Sequence, residues 1–556
     1  MTFVGARRKW ARMARSFATT WLVLVLGAVG CGEDASLPDA DLRAIDGAAD
    51  GAIDAGPPAD ASVPGDSGPD EPDARLPDSG EFLDAAPADL GSPDVIVADG
   101  GPPADSGAPS DSGAAPDGGD IFPDSGPLSR GLDWVRSNPM FVSGLVVAMG
   151  SPPEEFVRAY YEDFHATAAH LWATGMPAEA AAWSAVGPPG GRFVSWLDSD
   201  GNSAANPAAG VLGGGPAAMA GRIGYQVGDE PGLACNGDVP CAIADMNRMG
   251  VGIDAVRAAD PNALVFLNFA DLDVTPALLS AYAGLDADVV SYDAYHRGAT
   301  AYEPLEAVRA AGLAQGRPYW RYIRSFGYDS GSAGVTASDA RWDAYSGLLY
   351  GYTGHSWFLY TINASAELDP LLFVVENDFN AARTPLFNEV AAINQVLNRL
   401  GPVVTQLTST GVRYRPALPL LQPPGTQDWS IGAGGDPYLS DLSVSGVGVD
   451  AALGFFVDPY ADPVVMVQNV SHTHGTFPTS HENVGTITLT FDFGAAPLGV
   501  STTAVRGLDP LTGLTTSIPL TVVDATHSNL VLTLPAGDIA VLKIDNGRDF
   551  VRGPGG

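Results

Sequence analysis

The stretch Arg222-Ile223-Gly224-Tyr225-Gln226-Val227-Gly228-Asp229-Glu230-Pro231 begins as an apolar, strand-like run and stops abruptly at a glycine, two acids and a proline. A run of that kind bounded by Gly and Pro reads as a strand, Arg222–Val227, followed by a turn. Cys241–Ala258 then reads as a helix and Ala263–Phe269 as the next strand, which makes one strand-helix-strand unit. Working outward, the unit recurs. Strand-like runs precede it at Gly144–Met149, Ala168–Ala173 and Arg192–Leu197, and follow it at Asp288–Tyr292, Pro318–Phe326 and His355–Thr361. Helix candidates lie between them at Pro153–His165, Pro177–Ala185, Pro276–Ala283, Pro304–Ala314 and Ser338–Gly351, with a poorer one among the glycines of 203–220 and a last one at Thr384–Leu400. Eight βα units in about 270 residues predict a closed (β/α)8 TIM barrel rather than an open doubly wound sheet.

After Gly401-Pro402 the pattern shortens. Runs at Val464–Val467, Thr486–Phe491, Thr502–Val505, Ser517–Val522, Asn529–Leu534 and Ile539–Ile544, separated by Gly, Pro, Asp and Asn, predict an antiparallel β-sandwich. The expected fold is thus α/β, a barrel over 128–401 followed by an all-β sandwich over 402–548, with 549–556 as a flexible tail.

Charge divides what precedes the barrel. The 556 residues carry 28 basic and 65 acidic groups, a net of −37. Residues 1–31 hold five bases and no acid, and their apolar run Trp21–Gly30 is too short, and too soon followed by Glu33 and Asp34, to remain as a membrane-spanning helix. Small residues directly before Cys31 resemble a bacterial lipoprotein signal, which implies a lipidated Cys31 and an exported protein anchored at the outer membrane or cell surface; an ordinary secretory signal is the alternative. Residues 32–127 hold 23 acids, two arginines, 15 prolines and only two aromatics, Phe82 and Phe122. So few large apolar groups cannot offset the chain entropy of folding, and the segment is expected to be a disordered linker. So acidic a chain gains nothing from phosphate neutralisation, which excludes a simple nucleic-acid binder.

In a barrel the chemistry sits at the C-terminal ends of the strands. Those ends read Trp172; Trp196-Leu197-Asp198-Ser199-Asp200; Gly228-Asp229-Glu230; Tyr292-Asp293-Ala294-Tyr295; Arg321-Tyr322-Ile323-Arg324; and Trp357-Phe358-Leu359-Tyr360. Carboxylates and aromatic rings dominate this rim. Sugars offer flat apolar faces to rings and hydroxyls to carboxylates, and their hydrolysis uses paired Asp/Glu residues, so an oligosaccharide or polysaccharide is the indicated partner. No Gly-x-Gly-x-x-Gly, Walker or Gly-x-Ser-x-Gly motif is present, which counts against nucleotide cofactors and against an α/β-hydrolase esterase.

Gly228-Asp229-Glu230-Pro231, Val289-Val290-Ser291-Tyr292-Asp293-Ala294-Tyr295, Tyr345–Gly351 leading to Ser356–Tyr360, and Glu389–Asn394 before Leu400-Gly401-Pro402 together resemble, in that order, the β-galactosidase-like barrels of clan-A glycoside hydrolases over roughly residues 140–405. The segment Leu534–Ile544 is similar to the closing strand of accessory sandwiches in carbohydrate enzymes. The resemblance implies a general acid/base role for Glu230, although the residue before it, usually asparagine, is here Asp229. It also implies a nucleophilic glutamate on strand 7, where this sequence has Arg321–Phe326 and no carboxylate before Asp329. Either Asp293 or Asp198 then serves as base for an inverting attack by water, or the barrel binds glycans without cleaving them. A purely structural reading also stands: Asp229 caps the next turn, Glu230 pairs with Arg222 or Arg324, and Asp293 is hydrogen-bonded in the mouth. The expected catalytic pair is Glu230 and Asp293, with Asp229, Asp198, Trp172, Trp196, Tyr295, Arg324, Trp357 and Tyr360 as substrate contacts. Trp320 and Trp357 read equally as sugar platforms or as core. In an oxidising compartment Cys235 and Cys241 are expected to form a disulfide. No metal or cofactor is expected: His472, His474 and His481 read as a solvated loop, and Asp198–Asn202 as a turn lacking the distal glutamate of a calcium loop.

Overall fold

In the computed structural model of the chain the described residues are 128–147, 152–172, 177–186, 192–197, 221–235, 237–270, 274–295, 298–328, 335–361, 368–370, 372–373, 380–416, 422–446, 448–472 and 483–554. The signal, the linker, the 203–220 helix candidate, Asp198–Asn202, His474 and His481 lie outside them. Strands β1 (Phe141–Val147), β2 (Ala169–Trp172), β3 (Phe193–Leu197), β4 (Arg222–Asp229), β5 (Leu264–Ala270), β6 (Val290–Asp293) and β7 (Tyr319–Arg324) pair in parallel in chain order. After the short β8 (Phe326–Tyr328), β9 (Gly354–Thr361) pairs with both β7 and β1 and closes the barrel. Both faces of these strands are covered, so β5, Leu-Val-Phe-Leu-Asn-Phe-Ala, is buried at every position.

Among the described residues the helices are α1 (Arg130–Ser137), α2 (Glu154–Glu162), α3 (Pro177–Val186), α4 (Val239–Ala259), α5 (Pro276–Ala283), α6 (Tyr302–Gln315), α7 (Ala337–Tyr350) and α8 (Pro385–Val404). The sequence pattern did not indicate α1. It is capped by Ser129, whose Oγ accepts from Leu132 N at 3.3 Å, and it stoppers the N-terminal end of the barrel with Trp134 and Val135. The inward rings of Phe141 and Trp320 stack there at 4.4 Å, and a Cβ on Gly354 would lie 2.4 Å from the Trp320 ring, so only glycine fits at the start of β9. Arg130 and Arg257 both donate to the buried Asp288 at this same end, a feature of stability rather than chemistry.

The predicted strand Pro318–Phe326 is broken. Arg324 Nε donates to Phe326 O at 2.7 Å, the chain turns at Ser325, and β8 leaves the barrel to pair with β10 (Leu368–Pro370). The helix expected to end at Leu400 runs on through Pro402 to Val404, and Gly553 N donates to Pro402 O at 2.7 Å. Residues 549–554, expected as a flexible tail, are in fact fastened: Phe550 is buried and the buried Lys543 ammonium bonds Asp458, Asp462 and the Asp549 carbonyl.

The sandwich has one sheet ordered β11 (Thr408–Arg415), β13 (Ala451–Val457), β14 (Pro463–Asn469), β20 (Ile539–Ile544), β16 (Ala504–Leu508), β17 (Thr515–Pro519) and another ordered β12 (Leu439–Ser445), β15 (Gly485–Asp492), β19 (His527–Leu534), β18 (Thr521–Val522). β15 alternates buried and half-buried residues, as a sheet with one wet face should. β13 and β14 do not alternate. Their second face packs on α7, where Ser346 Oγ donates to Gln468 Oε1 at 3.1 Å and Gly454 approaches so closely that a Cβ would lie 2.2 Å from the Leu349 carbonyl oxygen. The barrel's outer core and the sandwich therefore share residues in one cluster, including Leu348, Leu349, Phe456 and Met466. Gly454→Val is expected to destabilise the protein by about 1–3 kcal/mol through overpacking, and calorimetry should show barrel and sandwich melting together at the lower temperature. A shift confined to one of two separate transitions would show that the contact does not couple them.

Candidate functional site

The mouth is organised by the end of β4. Between Gln226 and Asp229 the pairing with β5 shifts, so that Asp229 lies opposite Asn268. Gly228 makes the shift possible: its φ is +89°, and a Cβ there would lie 2.5 Å from Met249 Sδ. Glu230 follows with φ +44°, its N–H donating to Asn268 O at 2.8 Å and its carbonyl accepting from Leu233 N at 3.1 Å. Cys235 and Cys241 form the expected disulfide, bridging the 3-10 turn Leu233–Cys235 to the start of α4. Gly232 N also donates to Asp245 Oδ2 at 3.2 Å. The loop carrying Glu230 is thus tied at both its ends.

Inside the barrel a chain of polar side chains runs beneath the mouth. Gln226 Nε2 and Asn268 Nδ2 donate to Asp229 Oδ1 at 3.1 and 3.0 Å, and Ser291 Oγ donates to Asn268 Oδ1 at 2.9 Å. Tyr322 OH donates to Gln226 Oε1 at 2.7 Å and lies 3.1 Å from the His170 ring, which contacts Ser356 Oγ at 3.3 Å. Burial lowers the pKa of His170 to about 3, against a contact with Gln226 that raises it. Its imidazole is therefore neutral.

Asp293 ends β6, is 8% exposed, and pairs in register with Ala270 and Tyr322. Tyr295 follows it, its ring against Phe326 at 5.2 Å and Phe358 at 5.6 Å. Burial first, then the charge of Asp293, the neighbouring Tyr322 hydroxyl, and the charges of Glu230 and Asp229, push the Tyr295 pKa well above its ordinary value. The charges of Asp293, Glu230 and Asp229 thus all bear on one buried phenol. Trp196 points inward from β3, paired in register with Gln226 and 6% exposed. Arg324 ends β7, bonded to Phe326 O and with its guanidinium 5.1 Å from the Phe326 ring. Trp172 ends β2, but its side chain, like Asp198, lies outside the described residues.

Two expected contacts do not reach the mouth. Along β9 alternate residues face opposite sides, so Ser356 and Phe358 face in while Trp357 faces out; a register shift against β1 between Gly144 and Val146 then breaks the alternation and turns Tyr360 outward too. Trp357 is fully buried and donates from Nε1 to Asn394 Oδ1 of α8 at 2.7 Å, and Tyr360 packs edge-on against Tyr160 and Phe164. Trp320 is core at the opposite end. The structural pairing of Glu230 with Arg222 also fails: Arg222 opens β4, eight residues away, with its guanidinium over the Phe193 and Tyr225 rings. Nor does Asp229 cap the turn through Oδ1, which is engaged by Gln226 and Asn268. Gln226, Asn268, Tyr322, His170 and Phe358 were missed; the signal available was their place at inward positions of the strands. Arg321 faces outward and forms an ion pair with Asp343 of α7, whose Oδ2 accepts from Arg324 N at 3.1 Å. Among the described residues no group of three His, Cys, Asp or Glu side chains is placed to hold a metal ion.

No family model matches the chain, and no curated protein matches it in sequence. Solved structures that it resembles include a family 30 endoxylanase from Clostridium papyrosolvens C71, with 10% identity, 74% of this chain and 97% of that one covered and a TM-score of 0.38. An endo-β-1,4-mannanase from Thermotoga petrophila has 10% identity, coverage of 72% and 92%, and a TM-score of 0.36. A xylanase from Cellvibrio japonicus has 11% identity, coverage of 48% and 99%, and a TM-score of 0.32.

The neutral His170 has a consequence for acid stability. An unfolded histidine binds a proton below about pH 6.5 and this one only below about 3, so the unfolded state takes up the proton first and stability is lost as pH falls through that window. His170→Gln should make stability fall less between pH 7 and pH 5, by about 2 kcal/mol, in urea titrations. An unchanged slope would show that folded His170 is already protonated in that range.

Proposed function

We propose that the barrel mouth hydrolyses an O-glycosidic bond of an extracellular glycan, with Glu230 as general acid and Asp293 as general base. What supports this reading is that Asp229 and Asp293 close β4 and β6, Glu230 follows at once, and all three charges bear on the Tyr295 phenol, while β7 presents Tyr322 and Arg324 in place of a carboxylate. Glu230 protonates the glycosidic oxygen as its bond to the anomeric carbon breaks; Asp293 takes a proton from the water that attacks that carbon from the other face. β4 and β6 are separated by β5 alone, so their backbones are about 10 Å apart, and two carboxylates leaning in from there leave the room for water that an inverting pair uses. Asp229, Trp196, Tyr295 and Arg324 are assigned to substrate contacts. The full chain should release reducing sugar from plant, algal or microbial glycans. Glu230→Gln and Asp293→Asn should each lower the rate roughly 10²–10⁴-fold with an unchanged melting curve. The anomer first released should be inverted. Full activity in Glu230→Gln would remove the acid assignment, and retention would remove Asp293 as base.

Arg324 at the end of β7 favours a second reading, a glycan-binding barrel that does not cleave. It predicts bound glycan and no reducing sugar in the same assay.

The N-terminal segment belongs to the same proposal: an export signal ending at a lipidated Cys31, which anchors the protein to a membrane. Cys31→Ser should move the protein out of the membrane fraction. Equal membrane recovery of this variant and its parent would dismiss the lipid anchor.

A further inference from the structure

Lysine is nearly absent from this chain. Only Lys9 and Lys543 occur, and every other basic side chain apart from histidine is arginine. Lys9 lies outside the described residues, so Lys543 is the one lysine among them. It sits on β20, the last strand of the sandwich, and its side chain is 0% exposed. Arginine offers a carboxylate the better fork but cannot be deprotonated in a protein, whereas a lysine can lose its proton and become a nucleophile. The one described position where this chain uses lysine is thus one where an amine can react.

Its surroundings are those of an amide-forming site. Asp458 follows β13, its side chain is 1% exposed, and its Oδ2 accepts from Lys543 Nζ at 2.7 Å. Its Oδ1 accepts from the backbone N–H groups of Tyr460 and Asp462 at 2.8 and 2.9 Å. Two fixed donors on one oxygen are what a tetrahedral oxyanion at that carboxyl needs. A second carboxylate is at hand: Asp462 Oδ2, shut off from solvent, lies 2.9 Å from Nζ, while Asp462 Oδ1 accepts from Arg548. Burial raises the Asp462 pKa, but Asn546, Lys543 and Arg548 outweigh it and hold the group below its ordinary value, so it is ionised and can take a proton. The turn carrying both acids is closed on itself, Asp458 N donating to Asp462 O at 3.0 Å and Ala461 N to Asp458 O at 2.9 Å. Amine and carboxyl are therefore held in contact by fixed backbone, and placement of this kind reaches effective molarities on the order of 10⁵–10⁸ M.

We propose that Lys543 and Asp458 join in an intramolecular isopeptide bond, with Asp462 relaying the proton. One proton passes from the ammonium to Asp458 Oδ2, which leaves the pair neutral. The freed Nζ attacks Cγ, and the oxyanion forms on Oδ1 between its two N–H donors. Asp462 then carries a second proton from Nζ to Oδ2. The Nζ–Cγ bond forms, the Cγ–Oδ2 bond breaks, and Oδ2 leaves as water with two of the three ammonium hydrogens. No other reactant is needed. The product leaves none of these buried groups unpaired: the amide oxygen keeps the Tyr460 and Asp462 N–H groups, the remaining N–H has the Asp549 carbonyl 3.0 Å from Nζ, and Asp462 keeps Arg548. It also removes two buried charges, whose desolvation makes a buried ion pair a poor source of stability. The bond ties the turn after β13 to the last strand, between residues 85 apart in the chain. This inference does not depend on the glycosidase reading.

The test is mass spectrometry of the full chain, purified folded and then denatured, reduced and digested. The peptides holding Asp458 and Lys543 should appear as one branched species, lighter than their sum by one water, with fragment ions placing the junction at these two residues. Lys543→Arg keeps a cation but cannot form the bond, and should give two separate peptides. Asp462→Asn leaves amine and carboxyl in place without the relay, and should slow the joining of freshly made, folded protein roughly 10²-fold or more. Separate, unmodified peptides from the folded parent chain overturn the proposal, a measurement that needs no variant to fold. Joining at the parent's rate in Asp462→Asn overturns the relay.

Discussion

The structure depends on a helix that has no wet face. All of α7 except Arg341 is buried, because β7 and β9 lie on one side of it and β13 and β14 on the other. A helix buried all round must satisfy its polar groups internally. Here they connect the two halves of the protein. Ser346 reaches Gln468 in the sandwich, Gln468 Nε2 returns to the carbonyls of Trp342 and Gly537, and Asp343 holds both the Arg321 guanidinium and the Arg324 backbone N–H on the barrel side. Gly347 admits the His355 ring, where any Cβ would lie 2.2 Å from its Nε2. The end of β7, and with it one wall of the mouth, is thus positioned by a helix that the sandwich clamps. In this chain the sandwich is a structural part of the barrel.

That arrangement also explains what sequence could and could not disclose. The eight barrel strands were legible because strands buried on both faces read as short apolar runs, and α5 and α8 because proline marks their first turns. The strands β11, β12 and β13 were not, although β13 is the most continuously apolar of them; Ala-Ala-Leu-Gly-Phe-Phe-Val has a helix-like lack of alternation because α7 covers its second face. Glu230 and Asp293 were expected from residue type at strand ends, and β4 and β6 do end at Asp229 and Asp293. Trp357 and Tyr360 were misplaced because type alone does not say which way a strand residue faces. The one-residue offset between Trp357 and Phe358 moves a ring from the α8 interface to the barrel interior, and only the register against β7 and β1 decides it.

The polar ladder below the mouth constrains the identities within it. Gln226 accepts from Tyr322 with one end of its amide and donates to Asp229 with the other. A glutamate there would face Asp229 as a like charge, and an apolar residue would leave the Tyr322 hydroxyl with the His170 ring alone. The neutral His170 continues the ladder without adding charge. Because these groups are buried, each such pairing is worth more than it would be at the surface, and each omission costs more. The Tyr295 hydroxyl, buried without a hydrogen-bond partner among the described residues, is conspicuous because its neighbours Tyr322, Gln226, Asp229, Asn268 and Ser291 are all accounted for.

Glu230 is one of three non-glycine residues with positive φ among the described residues, with His165 and Ala461, and it alone of them lies at the barrel mouth. A non-glycine residue in the left-handed region costs about 1–2 kcal/mol, and such residues persist only where the surroundings enforce them. The enforcement is visible: Gly228 supplies the preceding positive φ, Asn268 holds the Glu230 N–H, Leu233 returns to its carbonyl, and the Cys235–Cys241 disulfide closes the loop that follows. Asparagine or glycine would adopt this φ with less strain and make the same backbone hydrogen bonds. Glutamate has no local advantage at this position: the turn itself gives no reason for a carboxylate where its charge bears on the Tyr295 phenol.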